Sequence, residues 1–297
     1  MNIDICICTY RRPHVAETMR SLASLKLKPD WQIRIIVADN DEKPSAQPLV
    51  EAAASECALN VTYIHAPARN ISIARNACLD AATAPLIAFI DDDELAEPNW
   101  LNVLMTVMES SKPAAVLGPV HALYGPDAPA WMRRGDFHSV IPVWVRGEII
   151  TGYSGNSLLQ KSAIGTLRFR KDLGRTGGED TVFFTALHQA GGTIAYAPDA
   201  VATEIVPKER ASLRWLINRH FRGGQTHGFL LLEKQGTEPL TRAKNITLAS
   251  VKSLFCFVMM VPHIMQPARM NFWFLRGAMH AGVVARLLGK QEIEQYG

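Results

Sequence analysis

Four carboxylates stand in a row at Asp91-Asp92-Asp93-Glu94, directly after the apolar run Leu86 to Ile90. Adjacent carboxylates repel one another, so gathering them costs stability unless a cation sits among them. Hard oxygen donors in this number suit Mg²⁺ or Mn²⁺, ions usually shared with substrate phosphates. The apolar run reads as a buried strand. The acids then fall at its C-terminal end, where parallel α/β sheets open their ligand crevice. The other reading is a solvated acidic turn before a helix, with Glu97 and Pro98 beginning the next element. A second polar group, Gly177-Gly178-Glu179-Asp180, leads into the helical stretch Thr181 to Ala190. Its glycines allow backbone conformations closed to other residues. Its acids suit the positive end of a helix dipole, and simple N-terminal capping would also account for them.

Strand and helix patterns alternate in the elements that must position these groups. Asp4 to Cys8 is a short apolar strand, followed by the loop Thr9-Tyr10-Arg11-Arg12-Pro13 and a helical stretch from His14 to Leu25. Trp31 to Ala38 is a second strand that ends in Asp39-Asn40-Asp41, and Pro44 to Ala58 reads as a helix. Val61 to His65 is a third strand, Asn70 to Ala82 a helix containing Arg75-Asn76, and Leu86 to Ile90 the fourth strand. A helix at Trp100 to Ser110 and a strand at Ala114 to Val120 follow. Such alternation argues a parallel sheet with helices on both faces. Polar residues collect after each strand, so these loops belong on one sheet edge and can line one pocket. Neither G-x-G-x-x-G nor G-x-x-x-x-G-K-[ST] is present, so the two common phosphate-cradling loops are absent. From Tyr124 to Gly147 the alternation gives way to Pro, Trp and Arg, as in a lid or acceptor wall.

The 297 residues fit one large domain or one domain with an appendage, and 48% hydrophobic content leaves ample core. Met1 leads straight into a strand pattern, with no basic and apolar leader. The five cysteines form no C-x-x-C pair and read as reduced thiols of a cytoplasmic chain. Charge is unevenly distributed. Residues 1–206 hold 18 Lys/Arg against 23 Asp/Glu, a net of −5, whereas residues 207–297 hold 13 against 5, a net of +8. The basic part is rich in Phe, Trp, Met and Leu, which favours an anionic membrane surface over nucleic acid.

Taken together and in order, these pieces resemble bacterial family 2 glycosyltransferases of the GT-A fold. The matching residues are Thr9-Tyr10, Asp39, Ala74-Arg75-Asn76, Asp91-Asp92-Asp93, Gly155-Asn156 and Gly178-Glu179-Asp180, spread over residues 3–225. The nearest subgroup is the succinoglycan-type exopolysaccharide glucosyltransferases. The resemblance implies a GT-A catalytic domain over 1–225, with a nucleotide-binding part to about residue 120 and an acceptor part beyond it. A helical, membrane-associating extension over 226–297 follows. It implies a UDP-sugar donor held by Thr9, Tyr10, Arg12, Asp39, Arg75, Asp91, Asp92, Asn156, Arg219 and Arg222. Asp39 would accept from the uracil imide, and Arg69 competes with Arg75 for the nucleotide. Mn²⁺ or Mg²⁺ would sit on Asp93 and Asp91. Asp180, preceded by Glu179, matches the catalytic base. One base with no nucleophile opposite it implies direct displacement and inversion. UDP-glucose and a lipid-linked saccharide acceptor at the cytoplasmic face of the inner membrane complete the implied reaction. A phosphohydrolase or a sugar-nucleotide scaffold without turnover are the rival readings.

The chain departs from processive synthases of that superfamily. Around Arg214-Trp215 it lacks the Q-x-x-R-W glutamine, so one sugar per acceptor is expected. Arg219, His220 and Arg222 read either as a basic helix end before Gly223 or as a diphosphate clamp. Beyond them, Ile246 to Met265 and Met270 to Gly289 are apolar but interrupted by Lys252, Pro262, Arg276 and Arg286. A clean span needs about 20 residues with few charges. These segments suit helices lying on an anionic bilayer, or helices packed on the catalytic domain or in a homo-oligomer.

Overall fold

A computed structural model describes residues 1–235 and 238–293. The end of the expected 226–297 extension lies outside the described residues. The strands are β1 (Asn2–Thr9), β2 (Gln32–Asp39), β3 (Val61–His65), β4 (Leu86–Ile90), β5 (Glu94–Ala96), β6 (Ala115–Leu117), β7 (Val120–Tyr124), β8 (Trp144–Val145), β9 (Glu148–Ile149), β10 (Asn156–Gln160), β11 (Ile194–Tyr196) and β12 (Ala202–Val206). The helices are α1 (Val15–Ala23), α2 (Gln47–Glu56), α3 (Ile71–Ala81), α4 (Trp100–Ser111), α5 (Ala130–Gly135), α6 (Lys161–Ile164), α7 (Glu179–Gln189), α8 (Leu213–Gln235), α9 (Pro239–Met260) and α10 (Pro267–Leu287).

Among the described residues the chain divides into two compact units, one made of Met1–Ala122 and Ser139–Ile205, the other of Leu123–His138 and residues 206–293. The boundary expected at residue 225 falls inside α8.

In the first unit a seven-stranded sheet runs in the order β11-β6-β10-β4-β1-β2-β3. Neighbours are parallel except β10, which is antiparallel to both β4 and β6. β4 is buried along its whole length, as a central parallel strand covered on both faces must be. Ile3, Ile5, Ile7, Ile35 and Val37 pack one face against α1 and α4. Cys6, Cys8, Ile36, Ala38, Ile87 and Phe89 pack the other against α3 and α7. The five cysteines are free thiols.

The second unit contains α5 and the long helices α8, α9 and α10. Glycine governs its packing. A Cβ on Gly224 of α8 would lie 1.8 Å from the Met279 carbonyl oxygen of α10, and one on Gly282 would lie 1.9 Å from that of Phe221. Gly224 and Gly282 therefore let the two backbones touch. This corrects the reading of a helix ending before Gly223: α8 runs through Gly223 and Gly224, and the backbone contact that Gly224 permits offsets the poor helix propensity of glycine.

His138 is buried in this unit, stacked 5.1 Å from the Trp215 ring. Its Nε2 lies 3.0 Å from the Arg210 carbonyl and its Nδ1 3.2 Å from the Tyr124 hydroxyl, which fits a neutral ring donating from Nε2 and accepting at Nδ1. Burial, seconded by Arg219 and Arg210, pushes the imidazole down to about 4. A group depressed in the fold binds fewer protons there than when unfolded. Stability is therefore complete above about pH 6.5 and falls as pH drops toward 4. The expected loss is about 1–2 kcal/mol after solvent screening. Urea titrations at pH 7 and near pH 4.5 check it, and His138→Gln should flatten the difference.

Candidate functional site

The site forms where the parallel strands end. Thr9 closes β1 and is paired in register with Asp39, the last residue of β2. Asp91 follows Ile90 at the end of β4. Because β10 runs antiparallel, its first residue Asn156 pairs with Ile90 and lies at the same edge. The sheet thus brings the three polar loops together as the sequence implied. The acids sit in a short turn between β4 and β5, not before a helix as the alternative reading held. Glu94 already begins β5, which pairs antiparallel with β12.

Two arginines organise these acids. Arg12 donates from Nη1 to Asp92 Oδ1 at 2.8 Å and to Asp93 Oδ2 at 2.5 Å. Burial pushes the Asp92 carboxyl up to about 7 against the pull of Arg12. Arg75 projects from α3, is buried, and bonds Glu179 through Nη1, while its Nη2 lies 3.5 Å from Asp91 Oδ1. One guanidinium therefore ties the β4 loop to the start of α7. Arg69, the competing candidate, lies instead 3.4 Å from Glu42. Burial raises Glu179 to about 7, although Arg75 opposes that shift. Burial likewise drives Glu94 well above the ordinary carboxyl range, and its Oε2 accepts from the Asp91 amide at 3.1 Å. Glu94 underpins the acidic turn, a role sequence reasoning had not separated from its neighbours. A side chain at Gly155 would displace it, since a Cβ there would lie 2.5 Å from Glu94 Oε1 and 3.1 Å from Asp91 Oδ2.

Helix α3 positions α7 through a buried polar face. Asn70 caps α3 by accepting from the Ile73 amide, and its Nδ2 donates to the Lys171 carbonyl at 2.7 Å. The Ser72 hydroxyl donates to the Arg170 carbonyl. Asn76 makes a reciprocal pair with the Phe169 backbone, both bonds 2.8 Å. Residues 169–174 are thereby fixed along α3, and the chain reaches α7 through Gly177 and Gly178, at φ 84° and 88°. Side chains larger than glycine would be strained in this left-handed region. Asp180 then stands half-exposed in the first turn of α7, its Oδ1 accepting from the Thr181 amide at 2.6 Å. Glu179 points inward instead, so the structure gives it a place in the ion pair with Arg75, not one facing an acceptor.

Several expected contacts take a different form. Asn156, expected on the donor, is fully buried. Its Nδ2 donates to the Pro119 and Ala200 carbonyls and its Oδ1 accepts from Trp100 Nε1, each at 2.8 Å. That corrects the assignment: every polar hydrogen and the oxygen already serve the fold. Asp39 is also fully buried and accepts from the Asp41 and Ala46 amides and the Tyr63 hydroxyl. It shapes the loop where a uracil contact was expected. Thr9 is buried beside Asp92, and Tyr10 lies under the Arg11 guanidinium, 5.2 Å from its ring centre. Arg219 and Arg222 lie on α8 in the second unit, where Arg219 stacks on Trp215 and donates to the His138 carbonyl.

Asp91 and Asp93 offer hard, partly exposed oxygens, 41% and 18% by side chain. Among the described residues no three His, Cys, Asp or Glu side chains gather closely enough to hold an ion alone. The donor set fits a divalent ion that completes its coordination with phosphate and water.

The family model for glycosyl transferase family 2 matches residues 4–168, more than half the chain and the whole acid-bearing edge. The chain belongs to glycosyl transferase family 2. It is 53% identical over 299 residues to the succinoglycan biosynthesis protein ExoM of Rhizobium meliloti, covering 100% of this chain and 96% of that protein. It is 24% identical to a glucosyl-dolichyl phosphate glucuronosyltransferase of Haloferax volcanii, over 75% of each chain. Among solved structures, the mannosyltransferase PcManGT of Pyrobaculum calidifontis, in complex with GDP-Man and Mn²⁺, superposes with TM-score 0.66 at 18% identity. The match covers 97% of this chain and 88% of that one. S. aureus TarS 1-349 with UDP-GlcNAc gives 0.57 at 13% identity, over 95% and 92%. These likenesses show the GT-A fold. The chain is a family 2 glycosyltransferase, and the reading from Asp91 to Asp93 and from Gly178 to Asp180 pointed to that family.

Proposed function

We propose that this glycosyltransferase moves one sugar, with inversion, from UDP-glucose to a lipid-linked saccharide in exopolysaccharide synthesis. The observation that carries the reading is Arg75, which joins the Asp91 loop to the helix bearing Asp180. The full-length likeness to a succinoglycan biosynthesis protein supports the pathway class, and the donors named for the two structural neighbours support a nucleotide sugar. In this reading the enzyme works at the cytoplasmic face of the inner membrane.

Asp91 and Asp93 would hold Mn²⁺ or Mg²⁺ together with the donor diphosphate. Such an ion, when bound, offsets the charge that builds on the leaving phosphate. Arg12 and Arg75 place fixed positive charge at the same loop, where planar guanidinium suits phosphate oxygens. Asp92, Thr9 and Tyr10 border the donor, and Asp39 holds the shape of its own loop. Asp180 accepts the proton of the acceptor hydroxyl as its oxygen bonds to the anomeric carbon. The bond from that carbon to the phosphate oxygen breaks, and the nucleoside diphosphate leaves. Glu179 keeps Arg75 and the first turn of α7 in place. The test is turnover of a panel of nucleotide sugars on a short saccharide-lipid acceptor, with the product anomer read by NMR. UDP-glucose as preferred donor and an inverted linkage are expected; a retained linkage or preference for a guanosine sugar would contradict the assignment.

A further inference from the structure

Helix α9 in the second unit has two unlike faces. One is buried: Ala249, Ser253 and Cys256 point inward, and the Ser253 hydroxyl donates to the Gly277 carbonyl of α10 at 2.9 Å. The other exposes Leu248, Val251, Leu254, Phe255 and Val258, followed by Val261 at the helix end, with Leu254 66% and Val258 59% accessible. These positions recur every three or four residues and form one unbroken apolar stripe over about four turns. Beyond the helix end the stripe continues through Ile264 and Met265, the latter 87% accessible, and Phe272 is exposed at the start of α10. Water-exposed apolar surface of this length marks an interaction site.

Charge selects the partner. Residues 239–288 contain six Lys/Arg and no Asp or Glu. Lys244, Lys252, Arg269 and Arg276 are exposed. A second copy of this chain would bring the same cations against them and no acid to pair with. An anionic lipid surface supplies both an apolar phase for the stripe and negative charge for its flanks. Residues 239–263 are long and apolar enough to cross a membrane by composition. The bonded, buried face toward α10 and the exposed Lys252 beside it suit a helix lying in the surface instead. We infer that α9, with the turn that follows it, seats this unit in one leaflet of an anionic bilayer, α9 lying in the headgroup–acyl boundary. This deepens the reading of a lipid-linked acceptor, since it sets the enzyme on the surface where such an acceptor lies.

Flotation of the full chain with phosphatidylcholine vesicles, with and without phosphatidylglycerol as about one third of the lipid, tests this. The chain should float with the anionic vesicles, less so as salt rises. Leu254→Glu/Val258→Glu should lower the bound fraction at least about tenfold while leaving UDP affinity unchanged, which also reports that the variant folds. Lys244→Glu/Lys252→Glu should weaken binding to anionic vesicles and leave the weak binding to neutral ones unaltered. A chain that binds UDP yet stays unfloated at low salt overturns the inference and spares the transferase reading. So does a dimer, seen by light scattering, that Leu254→Glu/Val258→Glu dissociates. A chain that floats but binds no nucleotide does the reverse.

Discussion

Asp180→Asn is expected to reduce sugar transfer by about a hundred- to ten-thousandfold, the range a positioned general base supplies. The amide keeps the size and can still accept from the Thr181 amide, so the first turn of α7 should survive. In the proposed mechanism Asp180 acts on the acceptor hydroxyl, so donor affinity should change little. The expected signature is a collapse of kcat with unaltered UDP binding. Transfer at the unmodified rate would place the base elsewhere.

Arg75→Met should have the second largest effect, and on two quantities together. Arg75 is buried against Glu179, so removing it leaves a carboxyl in the interior without its partner, at a cost of about 3–5 kcal/mol. The thermal midpoint should drop by several degrees or more. Transfer should also fall, since the Asp91 loop loses its tie to α7. The double variant Arg75→Met/Glu179→Met separates the two effects. It should recover much of the stability, because replacing both buried partners with apolar groups is often near neutral, but not the activity. Recovery of both would reduce Arg75 to a purely structural residue.

The parts legible in the sequence were those governed by local pattern. Apolar runs that end in polar residues placed β1, β2 and β4, and with them the edge that gathers Thr9, Asp39 and Asp91. The run of acids after β4 marked the centre of that edge, and Ala74-Arg75-Asn76 marked α3. Asn156 was misjudged because its partners are remote: Trp100, Pro119 and Ala200 converge on it. No spacing rule reveals that a buried amide has already satisfied its hydrogen bonds. The same limit hid the glycines of α8. Gly223 and Gly224 together read as a stop until α10 is seen lying against Gly224. The inward turn of Glu179 and outward turn of Asp180 follow from helix geometry, but only once Gly178 is known to be the residue before the first turn.

The central claim is that the edge around Asp91 to Asp93 is a metal-dependent nucleotide-sugar site. Calorimetric titration of UDP with and without Mn²⁺, beside GDP and dTDP, tests it most directly, with Asp93→Ala as the partner variant. The account predicts UDP binding that is selective, needs the metal, and weakens by about tenfold or more in Asp93→Ala, as loss of one of two carboxylate ligands should bring. Absence of binding by any of the nucleotides, or UDP affinity indifferent to both Mn²⁺ and Asp93, would contradict it.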